Sequence, residues 1–179
     1  MTQPYYKGIR VNSGHLIDPF AFTDADIDRI DFPKSLAQIN RYTGQGDYPF
    51  SVAQHSHCLV VVVPSGLKRA ATIHDFSEAV FNDLSKPVKS QLPDYEEAEH
   101  YVQGIIMVRF GVTPHEMAEL KDYDRRITRN EKQAIFSQPN ILPGQGDCEQ
   151  PLEIDPWHFR EISWRLAWWQ LQVDCQKYL

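Results

Sequence analysis

Four side chains have the types and the order that suit a catalytic metal centre: His55, the adjacent pair His74 and Asp75, and Asp124. Two imidazoles and two carboxylates can bind one divalent cation and leave coordination positions open for water and a substrate oxygen. Structural metal sites normally lack such open positions, because protein ligands fill them. If the four side chains converge, the chain is predicted to be a metal-dependent hydrolase.

Each candidate ligand falls on a predicted helix. The helices that carry them are predicted at 52–63, after an N-cap at Ser51, at 67–82, and at 114–136, after an N-cap at Thr113. His74 and Asp75 are expected in the middle of the second helix, about 100° apart around its axis, so both can lean to one side. Helical bundles build metal sites from side chains on facing helices in this way.

The remaining predicted elements complete a mainly α-helical fold. Two short strands at 7–11 and 15–18, joined by a turn at 12–14, predict a small β-hairpin within the first 20 residues. Further helices are predicted at 33–42, at 95–110 and, opened by Asp155-Pro156, at 155–177. A chain of 179 residues suits one domain. We therefore expect a single domain over residues 1–179, a helical bundle with an N-terminal hairpin.

A structural role is the alternative for each candidate ligand, because a lone His or Asp on a helix is usually a surface or capping residue. The quartet differs because apolar residues such as Ile73 and Phe76 flank His74 and Asp75. Burying a charge in such surroundings costs free energy unless a partner or a metal compensates it. From the chemistry of the residues alone, both interpretations stay open.

Composition and charge exclude several classes of function. The formal net charge is −6, with 24 acidic and 18 basic residues, which argues against a general binder of polymeric nucleic acid. The start of the chain lacks a signal peptide, and the longest aliphatic run, 59–63, is too short to cross a membrane. The three cysteines form no CxxC motif, which favours a reducing compartment. We expect a cytoplasmic protein without a membrane partner.

Longer motifs surround the quartet and resemble a known family. The segments are RYTG followed by YPFSVAQHS, then ATIHDFSEAVFNDLSKPVKSQLPDYEEAE, then GIIMVRFGV, and finally LKDYDRRITRNE. Together they resemble the HD-domain phosphohydrolases over residues 17–136. The nearest branch is the bacterial 5′-deoxynucleotidases and their phage-encoded relatives, which include dATP triphosphohydrolases. The resemblance implies an HD-domain helical bundle whose metal ligands are His55, His74, Asp75 and Asp124.

The same resemblance implies roles for six further residues. Glu78 would be the catalytic carboxylate, and Asp83 would hold or orient the attacking water. Arg41 would grip the phosphate, and the side chain of Tyr42 would lie against the deoxyribose. The loop lysines, Lys86 and Lys89, would contact phosphate.

Ordinary structural roles are the alternatives for these six. Arg41 could be a surface helix residue and Tyr42 a core residue, while Asp83 could cap a turn. The two loop lysines, Lys86 and Lys89, could be solvated charges, as most lysines are. Chemistry nevertheless supports the family roles, because a guanidinium suits two phosphate oxygens and phosphoryl transfer mainly needs charge neutralisation.

The function that follows is hydrolysis of a small deoxynucleotide, to a deoxynucleoside plus phosphate or triphosphate. His and carboxylate ligands suit Zn, Co, Mn or Fe, and a triphosphate substrate could bring a further Mg, Mn or Co ion. A dATP-like purine substrate, and a bacterial or phage-infected host cytoplasm, are expected by analogy with the phage branch. The alternatives are hydrolysis of a cyclic nucleotide or alarmone, a non-catalytic metal- or nucleotide-binding regulator, and a structural subunit.

Three tryptophans near the end of the chain, Trp157, Trp164 and Trp168, recur at helical spacing. We interpret them as one stripe that forms a core face or a subunit interface, rather than a platform for stacking bases. Such a face favours a homo-oligomer.

Two more residues near the quartet are given no role in the centre. His57 should point about 200° away from His55 on a regular helix. Glu131, two turns after Asp124, is interpreted as part of the charged pairing of its helix.

Overall fold

The computed structural model describes residues 8–137 and 150–179, and within them the fold is mainly α-helical with a small antiparallel hairpin, as predicted. Strand β1 (Ile9–Arg10) pairs with β2 (Leu16–Ile17), with Ile9 opposite Ile17. Both strands are shorter than predicted, and residues 1–7, including the predicted strand start at Lys7, lie outside the described residues. The hairpin turn ends at Gly14, whose φ of 87° suits glycine.

Nine α-helices follow the hairpin within the described residues. In chain order they are α1 (Asp24–Ile27), α2 (Phe32–Leu36), α3 (Val52–Val62), α4 (Lys68–Ile73), α5 (Glu78–Phe81), α6 (Lys86–Lys89), α7 (Pro93–Phe110), α8 (Pro114–Ile135) and α9 (Trp164–Tyr178). Short 3₁₀ turns connect several of these elements, among them Arg41–Gly44 and Pro156–Phe159. None of the described helices is both long and apolar enough to cross a membrane.

Helix α3 lies at the centre of the molecule. Its residues are buried except for His57, Val61 and Val62, and it packs against α2, α4, α8 and α9. A helix covered on nearly all sides needs apolar or fully partnered polar residues around its whole circumference. Its first turn is stabilised by the predicted cap, since Ser51 Oγ accepts a hydrogen bond from the Gln54 backbone N–H (3.2 Å).

The helix predicted at 67–82 is broken, which corrects the placement of His74 and Asp75 in the middle of a helix. Helix α4 ends at Ile73, α5 begins at Glu78, and the two ligand candidates lie in the intervening turn. Gln103 on α7, a buried side chain, replaces the helical hydrogen bond that the Ser77 N–H would donate to the Ile73 carbonyl. Its amide nitrogen donates to the Ile73 carbonyl (2.9 Å), and its amide oxygen accepts from the Ser77 N–H (3.1 Å).

The predicted helix at 33–42 also ends early. Helix α2 stops at Leu36, and the next residues pair with the segment before α3. The Arg41 N–H donates to the Phe50 carbonyl (2.9 Å), and the Val52 N–H donates to the Ile39 carbonyl (3.0 Å). This pairing draws Arg41 out of the helix and into a 3₁₀ turn beside the start of α3.

The terminal helix predicted at 155–177 is likewise two elements. Asp155 caps only the 3₁₀ turn Pro156–Phe159, and α9 begins after a second cap at Ser163. Gln54 of α3 supplies hydrogen bonds to the backbone at the break. Its amide nitrogen donates to the carbonyls of His158 and Arg160 (both 2.9 Å).

The prediction that Trp157, Trp164 and Trp168 form one helical stripe is therefore wrong. Trp157 lies on the 3₁₀ turn and does not share a helical face with Trp164 and Trp168. The face that α9 buries is formed instead by the small and aliphatic residues Ala167 and Leu171, with Trp168 only half-buried.

Helix α8 and its N-terminus agree with the prediction. Thr113 and Glu116 form a reciprocal capping box, with Pro114 at the first helical position. The helix runs for 22 residues and carries Asp124 near its middle. Helix α7 begins at Pro93, two residues earlier than predicted, and ends with Gly111 in the left-handed conformation (φ 65°).

Candidate metal centre

The two predicted histidine ligands face each other across the gap between α3 and the turn after α4. His55 Nε2 and His74 Nε2 are 3.1 Å apart. Each ring is fixed by its other nitrogen: His55 Nδ1 donates to Glu131 Oε1 (2.5 Å), and His74 Nδ1 donates to the Ala71 carbonyl (2.8 Å). Both Nε2 atoms therefore point into the same small space.

Two imidazole nitrogens at this separation need a positive charge between them, either a proton or a metal cation. Ligands about 2.1 Å from one ion and at right angles to each other are about 3 Å apart, so the spacing fits shared ligation. A hydrogen bond from Nδ1 to a carboxylate or a carbonyl is also the usual way to present Nε2 to a metal.

Asp124 completes a group of three that could hold a metal ion. Its Oδ1 is 3.2 Å from His55 Nε2, and the ligand atoms of His55, His74 and Asp124 all lie within 4.8 Å of one another. His55 is fully buried, whereas 39% of the Asp124 side chain is exposed. The group thus opens to solvent on the Asp124 side, where water or a substrate could approach.

Asp75 lies beside the same group. Its Oδ2 is 3.0 Å from His74 Nε2 and 3.6 Å from His55 Nε2. This oxygen is buried and accepts no hydrogen bond among the described residues. A buried carboxylate oxygen left in this state favours a bound cation. The structure thus brings His55, His74 and Asp124 into one group and places Asp75 beside the two histidines.

The electrostatics of the four side chains favour positive charge at the centre. Burial and the Arg41 guanidinium lower the pKa of His55, but Glu131 and Asp124 outweigh them and raise it to about 10. Burial alone would raise the pKa of Asp75, but the adjacent His74, His55 and Arg41 hold it well below its usual range. The pocket therefore stabilises a cation at Nε2, and a divalent metal can replace the proton there.

Arg41, predicted to bind phosphate, lies beside the centre with its side chain largely buried. Its Nε is 3.1 Å from Glu131 Oε2, its Nη1 is 3.7 Å from Asp75 Oδ2, and its Nη2 donates to Thr128 Oγ1 (3.3 Å). The structure rules out the alternative of a surface helix residue, because the guanidinium is directed inward and held from three sides.

The interpretation of Glu131 as part of the charged pairing along α8 is wrong. Glu131 is completely buried, and it makes no surface pair along α8. Its Oε1 accepts from His55, and its Oε2 accepts from the Tyr42 hydroxyl (2.8 Å) and faces Arg41. Burial would raise the pKa of Glu131, but Arg41 and His55 hold it below its ordinary value. The one indication in the sequence is its position two turns after Asp124, on the same side of α8.

Tyr42 is directed inward in the structure. Its hydroxyl binds Glu131, and its ring meets the Phe136 ring edge-on at 5.5 Å. Its backbone has a φ of 56°, and Thr43 follows with a φ of 51°, both in the left-handed region. Non-glycine residues rarely adopt this conformation, so the turn that carries Arg41 is strained.

The charges of both predicted catalytic acids, Glu78 and Asp83, interact with that of Asp75. Glu78 is buried in the first turn of α5, and its Oε2 makes no hydrogen bond among the described residues. Burial raises its pKa well above the usual range, and the charges of Asp75 and Asp83 raise it further. Burial also raises the pKa of Asp83, where Asp75 adds to the effect and Arg41 opposes it.

The predicted phosphate-contacting lysines are placed differently from each other. Lys89 forms an ion pair with both oxygens of the buried Glu99 (2.7 and 2.9 Å), and it is close enough to Glu78 for their charges to interact. Lys86 is exposed on α6, and within the described residues it has no hydrogen bond or ion pair to the centre. Neither lysine is in contact with the four ligands.

His57 turns away from the centre, as its spacing from His55 predicts. Its Nδ1 donates to Asp174 Oδ2 of α9 (2.7 Å), so it belongs to the packing between α3 and α9.

The chain is similar to two proteins that are both described as uncharacterized. The chain is 32% identical over 105 residues to the uncharacterized protein YfdR of Escherichia coli K12, a match that covers 59% of each chain. It is also 32% identical over 113 residues to the uncharacterized protein RCAP_rcc00048 of Rhodobacter capsulatus, covering 58% of each chain. The matches thus span less than two thirds of these relatives. No family model matches the chain.

The findings taken together define a helical protein with a cluster of two histidines and an aspartate that could bind a metal. This arrangement is compatible with an HD-type fold.

Proposed function

We propose that this protein is a metal-dependent phosphohydrolase of deoxynucleotides, which releases a deoxynucleoside together with phosphate or triphosphate. The observation that carries the proposal is the group of His55, His74 and Asp124, with Asp75 beside it, an inward-facing Arg41 next to Asp75, and the acids Glu78 and Asp83 near enough for their charges to interact with that of Asp75. Cation, anion-binding group and proton-transfer groups are the three components that hydrolysis of a phosphate ester requires.

A divalent transition metal held by these four ligands would supply Lewis acidity toward a phosphate oxygen and make water a better nucleophile. The donor set of imidazoles and carboxylates suits Zn, Co, Mn or Fe. The partly exposed side chain of Asp124 would give water and substrate access to the metal.

Arg41 would bind the phosphate group. Its guanidinium is already held by Glu131 and Thr128, so little conformational entropy is lost when it binds an anion. A planar guanidinium can donate two parallel hydrogen bonds to phosphate and offset the charge that develops on its oxygens.

Glu78 and Asp83 would handle the protons of the reaction. Glu78 is buried beside the centre with one oxygen unpartnered among the described residues, so it can accept a proton from water and return it to the leaving oxygen. Asp83, whose charge interacts with that of Asp75, would orient the same water. Resemblance to the phage branch supports a purine deoxynucleotide such as dATP as the substrate.

The test is phosphate release from mono-, di- and triphosphates of deoxy- and ribonucleotides. Protein stripped with a chelator would be given back Mn²⁺, Co²⁺, Zn²⁺ or Mg²⁺, and the products would be separated by chromatography. Metal-dependent hydrolysis of deoxynucleotides is expected, and the product, phosphate or triphosphate, identifies the reaction. Folded, metal-loaded protein that hydrolyses none of these substrates would overturn the proposal and favour a non-catalytic binder.

A further inference from the structure

One buried carboxylate, that of Glu131, joins the metal ligands to the predicted phosphate-binding residue. It is 0% exposed, and it contacts His55 on α3 as well as Arg41 and Tyr42 in the 3₁₀ turn Arg41–Gly44. It therefore bridges three elements through two oxygens.

We propose that Glu131 is a positioning residue, which fixes His55 for metal binding with one oxygen and Arg41 for phosphate binding with the other. The inference rests on the proposed function in naming phosphate as the anion, but its metal-binding half stands on the geometry of His55 alone.

The first oxygen acts on His55. Because Oε1 accepts the Nδ1 hydrogen at 2.5 Å, the ring cannot rotate or place its lone pair on Nδ1 without losing this bond. Nε2 is then directed toward His74 Nε2 and Asp124 Oδ1, where a cation would bind. Carboxylates bonded to ligand histidines in this way typically change metal affinity by about 10- to 100-fold.

The second oxygen acts on the turn that carries Arg41. Three successive residues, Tyr42, Thr43 and Gly44, have positive φ values of 56°, 51° and 71°. Such a run is unfavourable for the two non-glycine residues and persists only when surrounding contacts enforce it. The hydrogen bond from the Tyr42 hydroxyl and the ion pair with Arg41 Nε are the contacts through which Glu131 holds this turn.

Simple stabilisation of the fold is the alternative, and the chain contains a matched control for it. Like Glu131, Asp174 is a buried carboxylate, and it lies on α9. It accepts a hydrogen bond from Nδ1 of His57, which follows His55 by two residues on α3. This second pair has the same chemistry but faces away from the centre. A purely structural role predicts similar consequences when either carboxylate is removed.

The experiment compares Glu131→Gln with Asp174→Asn, since glutamine and asparagine keep the size of the side chain. Mn²⁺ affinity would be measured on chelator-stripped protein by electron paramagnetic resonance of the free ion. Inorganic phosphate affinity would be measured by calorimetry at saturating Mn²⁺. The His55 Nδ1 proton would be observed by NMR in the Zn²⁺-loaded proteins, and circular dichroism would report folding.

Glu131→Gln is expected to weaken Mn²⁺ binding by about 10- to 100-fold, to weaken phosphate binding, and to shift the His55 Nδ1 proton upfield. Asp174→Asn is expected to leave Mn²⁺ and phosphate affinities unchanged. Unchanged affinities in Glu131→Gln, or equal losses in both variants, would overturn the proposal.

If Glu131→Gln does not fold, Tyr42→Phe tests the second oxygen separately. It removes one hydrogen bond and keeps the contact with His55, so phosphate affinity should fall while Mn²⁺ affinity stays the same. Unchanged phosphate affinity would contradict the proposal. None of these readouts uses hydrolysis, so a failure of the proposed reaction is distinguishable from a failure of the role of Glu131.

Discussion

The partner of each Nδ1 atom decides how the two ligand imidazoles are oriented. His74 is held by a backbone carbonyl, which no substitution at Ala71 removes, whereas His55 is held by the side chain of Glu131. The orientation of His55 is therefore open to change by mutation, and that of His74 is fixed by the turn. At the scale of single residues, the centre depends on a few contacts with definite geometry.

Glu78→Gln tests the proposed role of the Glu78 carboxyl group in proton transfer. The variant keeps the shape of the buried side chain but cannot accept or return a proton. We expect hydrolysis to fall by about 10²- to 10⁴-fold, while bound metal and nucleotide affinity persist. Steady-state kinetics, metal analysis and nucleotide binding would be measured on the same preparation.

Asp122→Asn is a suitable control for Glu78→Gln, since Asp122 is an exposed acid of α8 that pairs only with neighbouring arginines in the described structure. Its hydrolysis should match that of the unmodified protein. Undiminished hydrolysis in Glu78→Gln would remove Glu78 from the mechanism.

Residue types and order indicated the group of His55, His74 and Asp124 that could hold a metal ion, because His and Asp in an apolar context favour a bound cation. They were insufficient for Glu131. A glutamate among Arg129, Asn130 and Lys132 has the local composition of an exposed helix surface. Its burial depends on His55 and Arg41, which are distant in the sequence and which the pattern along α8 does not report.

At the scale of elements, the sequence predicts the capped starts of helices more accurately than the breaks inside them. The caps at Ser51 and Thr113 agree with the structure because capping is a contact over three residues. The breaks after Ile73 and Phe159 were missed because a glutamine from a different helix satisfies the backbone at each of them. Local propensity contains no information about such distant partners.

Replacing Gln103 with Met should show that the break at 74–77 depends on it. The change keeps the volume but leaves the buried Ser77 N–H without its partner, at a cost of about 1–3 kcal/mol, while the Ile73 carbonyl keeps the hydrogen bond from the Phe76 N–H. Metal affinity should also fall, because His74 and Asp75 lie in the turn. Urea unfolding and metal titration would measure the two effects.

Gln91→Met, at an exposed position between α6 and α7, is the control for Gln103→Met. Gln91→Met should change neither the stability nor the metal affinity. A Gln103→Met protein with unaltered stability would mean that water replaces the amide at the break.

The capping box of α8 should make stability depend on pH. Hydrogen bonds from the Thr113 hydroxyl and backbone N–H lower the pKa of Glu116. Because this pKa is lower in the folded than in the unfolded state, the contribution is present above pH about 4.3 and is lost as pH falls through the folded value. Glu116→Gln should be less stable than the unmodified protein at pH 7.

The difference in stability between Glu116→Gln and the unmodified protein should shrink below pH 4, as measured by thermal unfolding of metal-free samples. Thr113→Ala provides a second comparison, with an expected loss of about 1 kcal/mol. A difference that grows toward acid pH would contradict the assignment of the cap.

At the scale of the whole molecule, the candidate centre joins distant parts of the chain. The 3₁₀ turn at Arg41–Gly44, helix α3, the turn after α4 and helix α8 each supply a side chain to it. A metal that binds only this assembled arrangement must stabilise the entire fold, because the unfolded chain does not hold the ligands together.

Metal addition should therefore raise the melting temperature. At a free metal concentration 100 times Kd, the stabilisation is about 2.7 kcal/mol. For a protein of this size each kcal/mol corresponds to about 2–4 °C, so the expected rise is about 5–11 °C. Calorimetry of chelator-stripped protein with and without Mn²⁺ would measure it.

His74→Ala should abolish most of the rise, since it removes one ligand, whereas His115→Ala, at an exposed position in the first turn of α8, should keep it. An equal rise in all three proteins would place the metal elsewhere.

The uneven exposure of the ligands has a further consequence. His55 lies at the buried end of the centre, and Asp124 at the end open to solvent. An ion can thus enter or leave past Asp124 without global unfolding, so exchange with the medium should be fast compared with the lifetime of the native state. The metal found after purification would then record the buffers that the protein has met, and exchange of a bound metal isotope under native conditions would measure how fast the ion is replaced.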